Sequence, residues 1–112
     1  MEALTESIAG IYLHNLELGS VLAVETKSRH HYTIQYVGGD LVMISGHPTL
    51  CPKPVSAELC GSIRGGQLEA GFVGEGLCLT FRRLTDEFPV ITSAIQTVHQ
   101  ESPASEVKRC FV

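Results

Sequence analysis

The chain contains no tryptophan, and aromatic residues make up only 6% of its 112 positions. Charged residues are also few, at 18%, and eight Lys and Arg against twelve Asp and Glu give a net charge of −4. Nucleic-acid binding normally requires a concentrated basic surface, so this balance argues against a nucleic-acid partner. The sequence also lacks the roughly 20 consecutive apolar residues that span a bilayer, so we expect no membrane partner.

The cysteines of the chain show no paired spacing. The four cysteines are Cys51, Cys60, Cys78 and Cys110. Residues 1–13 are acidic where the flank of a secretory signal peptide is basic, so the sequence gives no indication of export. We therefore expect a cytoplasmic protein with reduced thiols rather than a disulfide framework.

A recognisable set of nucleophile, general base and orienting partner is also missing. The glycine-rich residues 61–66 and 71–76 have no phosphate-loop lysine, and strands rather than helices follow them. Ser45 and Ser62 lack the strand-to-helix turn that presents a hydrolase nucleophile. These absences favour a protein without enzymatic activity.

What the sequence does contain is a series of short apolar and polar alternations, separated by glycine and proline. Tyr32, Ile34 and Tyr36 share one face of residues 31–37, which is typical of a half-buried strand. Residues 46–54 hold three prolines and therefore predict a loop. Further strands are predicted at residues 20–26, 41–45, 55–60, 67–72, 77–81 and 90–98, with Leu68, Ala70, Phe72, Leu77, Leu79 and Phe81 facing the core.

The two ends of the chain depart from this pattern. Leu4, Ile8, Ile11 and Tyr12 recur at spacings of three and four, which predicts a short helical segment within residues 1–18. Residues 19–99 form the predicted domain, and residues 100–112 are expected to be a flexible tail. Because no crossover helix separates the strands, the predicted fold is all-β, a small antiparallel β-barrel of six to seven short strands.

One loop places candidate metal ligands close together in the sequence. His47 and Cys51 are four residues apart and Cys60 follows, a set of imidazole and thiolate groups that suits zinc or iron. Structural zinc sites usually show two close ligand pairs, and here the second pair is missing. The alternative is that Cys51 is a small buried hydrophobe. His30 and His31 are interpreted as part of a solvated turn.

The glycine and proline skeleton carries a resemblance to a family. Residues 38–48 (GGDLVMISGHP), with Cys-Pro at 51–52, Gly-Ser at 61–62, Gly-Gly at 65–66, Gly-Phe at 71–72 and Ile-Thr-Ser at 91–93, are similar to small bacterial proteins of unknown function. The resemblance covers about residues 19–98 and implies a compact β-barrel without an assigned activity.

A second comparison is with PilZ-type barrels, which bind cyclic di-GMP through an arginine pair and an Asp/Asn-x-Ser-x-x-Gly motif. In this chain Arg82 and Arg83 follow the middle of the barrel instead of preceding it. Asp40 is also five residues from Ser45, where the motif has two. Nucleotide binding is therefore a minor alternative.

Apolar residues on both faces of residues 41–44 favour a surface that binds other proteins. We therefore expect a non-enzymatic β-barrel module whose partner is another protein or a second copy in a homo-oligomer. Two alternatives remain open. One is a metal-binding protein, with zinc held by His47, Cys51 and Cys60, and the other is a small-molecule sensor with residues 46–54 at the mouth of its pocket.

Overall fold

A computed structural model describes residues 9–101 of the chain. Within these residues there are nine strands, a single 3-10 turn (Leu13–Asn15) and no α-helix. The strands are β1 (Gly10–Tyr12), β2 (Val21–Thr26), β3 (His31–Gly38), β4 (Leu41–Ser45), β5 (Val55–Arg64), β6 (Gln67–Ala70), β7 (Phe72–Gly74), β8 (Cys78–Arg83) and β9 (Val90–Glu101). The all-β fold class predicted from the sequence is confirmed.

Six of the strands close into an antiparallel barrel. Their order is β4-β3-β2-β9-β8-β5, and β5 pairs back to β4. Each strand of the wall therefore has a hydrogen-bonded neighbour on both sides, which satisfies backbone groups that an open sheet would leave at its edges. The predicted small antiparallel barrel is confirmed, with six strands in its wall.

The side chains that alternate along the wall strands form the core. Tyr32, Ile34 and Tyr36 are buried on β3, while Leu79 and Phe81 are buried on β8. The same cluster contains Leu22, Val24, Val42, Ile44, Leu59 and Ile95. Burying a side chain of this size contributes roughly 1.5–3 kcal/mol, so the two-residue period accounts for much of the driving force for closure.

β5 has two different neighbours along one edge. Its residues 55–58 pair with β4, residues 61–64 pair with β6, and a register shift lies between them at Leu59 and Gly61. All four residues of β6 are exposed. The prediction that Leu68 and Ala70 face the core is wrong, because β6 adds to the part of β5 that extends past β4, outside the wall.

β1 and β7 form a separate two-stranded sheet. Gly10 lies opposite Gly74, and Tyr12 lies opposite Phe72. The rings of Tyr12 and Phe72 are in contact, with centroids 4.6 Å apart. The predicted N-terminal helix is therefore wrong for Ile11 and Tyr12, because pairing with a distant strand overrides the local spacing. Leu4 and Ile8, the other two residues of that prediction, lie outside the described residues.

β9 continues further than the sequence pattern indicated. The sequence predicts Gln100 and Glu101 in the tail, yet they pair with Leu22 and Val21 of β2. Residues 102–112 lie outside the described part of the chain. No helix within residues 9–101 is long and apolar enough to cross a membrane.

Candidate functional site

Three connections meet at one end of the barrel, which we refer to as the loop end. They are the β2–β3 turn (residues 27–30), the β4–β5 loop (residues 46–54) and the β8–β9 loop (residues 84–89). Antiparallel pairing brings them together. β2, β4 and β8 run in one direction and β3, β5 and β9 run in the other, so the three connections lie at the same end. Two hydrogen bonds link neighbouring parts of this end. Arg83 Nη1 donates to the Leu50 carbonyl at 2.7 Å, and the Leu84 N–H donates to the Ser56 carbonyl at 3.2 Å.

The β4–β5 loop is closed by hydrogen bonds within itself. The Gly46 N–H donates to the Cys51 carbonyl at 2.7 Å, and the Cys51 N–H donates to the His47 carbonyl at 3.0 Å. Nδ1 of His47 accepts the N–H groups of Thr49 and Leu50, at 3.1 and 3.0 Å. One imidazole nitrogen thus satisfies two backbone donors and fixes the loop in its folded-back shape.

The first residue of this loop has to be glycine. Gly46 has a φ of 120°, a conformation that side chains with a Cβ rarely adopt. A Cβ at this position would also overlap the carbonyl oxygen of His31. The chain therefore leaves β4 close against β3 and carries His47 over the end of the barrel.

His47 lies beside His30, which the sequence predicts in a solvated turn. The His30 and His47 rings have centroids 4.2 Å apart, and the Tyr32 ring stacks at 6.1 Å from His47. Desolvation by burial, and then the neighbouring His30, lower the pKa of His47. The ring is therefore neutral at neutral pH, in agreement with an Nδ1 that accepts hydrogen bonds.

Cys51 is fully buried and belongs to the core cluster. Burial raises the pKa of its thiol, although a backbone hydrogen bond at His47 and the charge of Arg83 partly oppose the shift. Burial, with a smaller contribution from Cys51, also raises the pKa of Tyr32 to about 12. A thiol that stays protonated is a poor nucleophile and a poor metal ligand. The geometry fits the alternative in which Cys51 is a buried hydrophobe.

Cys60, the third residue of the predicted metal site, lies elsewhere. It occupies the bulge of β5, where its thiol contacts the Glu58 carbonyl at 4.0 Å. The preceding residue, Leu59, donates its N–H to the carbonyl of Asp40. Asp40 lies in the turn before β4, at the end of that strand opposite the loop end. About 13 Å of strand separates that end from the loop end. The structure therefore does not bring His47, Cys51 and Cys60 together.

The described residues also offer no other metal centre of this kind. Across residues 9–101, no three His, Cys, Asp or Glu side chains are grouped so that they hold a metal ion. The zinc site predicted from His47, Cys51 and Cys60 thus receives no geometric support, because its spacing in sequence does not become proximity in space.

Two neighbouring arginines fix the β8–β9 loop. Arg83 donates from Nε and Nη2 to the two carboxylate oxygens of Asp86, at 2.6 and 2.9 Å. Arg82 donates from Nη1 to the Asp86 carbonyl at 2.9 Å and pairs with Glu58 at 3.2 Å. The hydrogen bond from Arg83 lowers the pKa of the Asp86 carboxyl. The bidentate salt bridge between Arg83 and Asp86 restricts the loop more than a single hydrogen bond does.

The loop fixed in this way and the start of β9 carry exposed apolar side chains. Leu84 is 49% exposed, Phe88 is 75% exposed, and Ile91, the second residue of β9, is 58% exposed. We refer to these three residues as the loop-end apolar surface. Among the large apolar side chains of the described residues, Phe88 is the most exposed. An aromatic side chain on a preorganised loop is a typical anchor for a binding partner.

The sequence had placed the interaction surface on residues 41–44 instead. Val42 and Ile44 are buried in the structure, and Leu41 and Met43 occupy the opposite face of β4. The loop-end apolar surface was missed because residues 84–89 show no alternation. The available signal was Leu84 and Phe88 themselves, two large apolar residues between the strands predicted at residues 77–81 and 90–98.

A shallow surface cleft of about 150 Å³ lies on the outer face of β2, β3 and β9. The residues that line it include Ala23, Glu25, His31, Thr33, Thr97 and His99. His31 Nε2 lies 3.7 Å from Glu25 Oε2 across the β2–β3 pair. This cleft is formed by strands, whereas the sequence had placed a pocket mouth at residues 46–54.

Comparison with known proteins adds no relative to this picture: no family model, no curated protein and no solved structure matches the chain. The resemblance to small bacterial proteins of unknown function stays a prediction from the glycine and proline pattern. The functional argument accordingly rests on the geometry of the loop end.

Proposed function

We propose that this chain is a non-enzymatic β-barrel module that binds a protein partner through the loop-end apolar surface. The observation that carries the proposal is the presentation of Phe88, an exposed aromatic ring on a loop that Arg83 and Asp86 hold in one shape. A partner that covers the ring buries apolar surface, which favours binding. Because the loop is already ordered, binding costs little of its conformational entropy.

Charge favours a different protein over a second copy of this chain. The net charge is −4, and the exposed Glu87 lies directly before Phe88. The nearby Arg82 and Arg83 already pair with Glu58 and Asp86. Two copies that met at this surface would bring acidic loops together. An apolar pocket rimmed by Lys or Arg is the complementary surface.

The proposal extends to location. Cys51, Cys60 and Cys78 form no disulfide with one another in the described part of the chain. Unpaired thiols persist in a reducing compartment, and this supports a cytoplasmic protein.

The test begins with a photo-crosslinking side chain at position 88, which captures the partner protein. The affinity of this chain for the same partner, purified without the crosslink, is then measured. We expect Phe88→Ala to raise the Kd about 30-fold, or about 2 kcal/mol, as for a binding anchor. Leu18→Ala is the matched control, because Leu18 is 72% exposed and lies at the opposite barrel end, beside Gly38.

Two outcomes contradict the proposal. In the first, Phe88→Ala and Leu18→Ala have equal effects on the affinity. In the second, the probe at position 88 crosslinks to another copy of the chain, and light scattering shows a dimer that Phe88→Ala dissociates. That second result would replace the distinct partner by self-association through the same surface.

A further inference from the structure

Besides two backbone hydrogen bonds within it, the β4–β5 loop is held in its closed shape by one side-chain atom. Nδ1 of His47 accepts the N–H groups of both Thr49 and Leu50. An imidazole nitrogen accepts a hydrogen bond only while it carries no proton, because protonation uses its lone pair. The closed loop therefore requires the neutral form of His47.

We propose that the β4–β5 loop is a proton-operated latch, in which protonation of His47 at Nδ1 opens the loop and uncovers Cys51. In this step a proton from solvent bonds to the Nδ1 lone pair and yields an imidazolium with N–H groups on both nitrogens. The N–H groups of Thr49 and Leu50 then face a donor instead of an acceptor. Both hydrogen bonds are lost at once, since they share that single atom.

The groups that surround His47 do not offset a positive charge on its ring. His30 faces it from the β2–β3 turn at 4.2 Å, and Tyr32 faces it from β3 at 6.1 Å. From β8, Arg83 reaches the same loop at the Leu50 carbonyl and brings a permanent positive charge.

The nearby acidic groups are already engaged. Asp86 is held by Arg83 and Glu58 is paired with Arg82, while the Glu25 carboxylate lies on the outer face, 3.7 Å from His31 Nε2. Among the described residues no carboxylate forms an ion pair with His47, so nothing offsets the loss of the two Nδ1 hydrogen bonds on protonation.

The direction of the pH dependence follows from the protonation states. The pKa of His47 is lower in the closed loop than its ordinary value of 6.5. The open loop consequently binds more protons than the closed loop as the pH falls below about 6.5. In that window the opening equilibrium rises by as much as about tenfold per pH unit, and the latch is fully closed above it.

Opening also affects the loop-end apolar surface, a consequence that rests on the proposed function. The bond from Arg83 Nη1 to the Leu50 carbonyl joins the β4–β5 loop to the side chain that holds Asp86. Loss of this bond leaves Arg83 less restricted and loosens the loop that carries Phe88. Partner affinity then decreases in mild acid.

The test uses two substitutions that separate the acceptor from the proton. His47→Asn keeps an acceptor oxygen at the position of Nδ1 but does not take up a proton in this pH range. His47→Ala removes the acceptor altogether. His31→Asn serves as the control, because this exposed histidine pairs with Glu25 and donates no side-chain bond to the loop.

The readout is the labelling rate of Cys51 by 4,4′-dithiodipyridine between about pH 7.5 and 5.5, a range that spans ordinary histidine titration. Mass spectrometry of peptides separates Cys51 from Cys60 and Cys78, which act as internal references. In the wild type and in His31→Asn, we expect the Cys51 rate relative to the references to rise roughly tenfold toward acid. It should stay low at every pH in His47→Asn and high at every pH in His47→Ala.

The latch is refuted if the relative rate of Cys51 is independent of pH in the wild type, or if His47→Asn follows the wild type. These two proteins decide the question even if His47→Ala does not fold. Cys51 labelling needs no partner, so a failure of the proposed function leaves this result intact. Conversely, partner binding through Phe88 without any pH-dependent labelling overturns the latch alone.

Discussion

Among single residues, Asp86 has the largest influence on how Phe88 is presented. Its carboxylate receives two bonds from Arg83, and its backbone carbonyl receives one from Arg82. The contact with Arg83 lowers the pKa of Asp86 below its ordinary value of 3.8. The carboxylate therefore stays ionised through the neutral range. Its contribution to stability is complete above that ordinary value and is lost as the pH falls through the lowered one.

Asp86→Asn is expected to loosen the β8–β9 loop and to lower the midpoint of urea unfolding at about pH 7, because one charged acceptor pair is lost. The difference from the wild type should shrink at about pH 3, where the wild-type carboxyl approaches its own protonation. Glu87→Gln is the matched control, since it removes the same charge from the adjacent exposed residue. Equal midpoints for the two variants at both pH values would show that the Arg83 contact does not fix the loop.

His47 shows how far residue types alone predict a site. Its spacing from Cys51 indicated a metal ligand, whereas its Nδ1 serves as a hydrogen-bond acceptor for its own loop. His30 reaches it from 17 positions earlier in the chain, and the Arg83 contact to Leu50 spans 33 positions. Contacts of this range depend on how the strands pair and in which register, so the local sequence carries no sign of them.

At the scale of elements, alternation predicted the strands that have one face on the core. β3 is the clearest case, with each inward residue buried and each outward residue before Gly38 exposed. β6 shows where this reasoning stops, because its alternation is present but it pairs with the part of β5 beyond the wall. A period of two identifies a strand and its two faces, and only the tertiary pairing determines whether either face is covered.

A pair of leucine substitutions tests this difference between β6 and the wall. Leu79 is 0% exposed on β8 and Leu68 is 49% exposed on β6. Leu79→Ala should lower the free energy of unfolding by about 2–5 kcal/mol, and Leu68→Ala by less than about 1 kcal/mol. Chemical denaturation of both variants measures the two values. Comparable losses would mean that Leu68 faces the core, as its alternation suggested.

At the scale of the whole molecule, a closed wall of strands supports irregular connections gathered at one end. The wall leaves little unpaired backbone among its own strands, and its interior is filled by side chains. The features suited to recognition are therefore the loops, where an exposed aromatic ring, a fixed charged contact and a histidine-held loop lie at the same end. This division between a rigid scaffold and functional loops is common in β proteins.

The most direct test maps the binding surface by NMR. The partner identified by crosslinking is added to the isotope-labelled chain, and the changes in backbone chemical shift are recorded for each residue. The account predicts that the largest changes fall on residues 84–91, with smaller changes in the β4–β5 loop that Arg83 connects to them. A footprint centred on the cleft around Ala23, or on the outer edge of β6, with residues 84–91 unaffected, would contradict it.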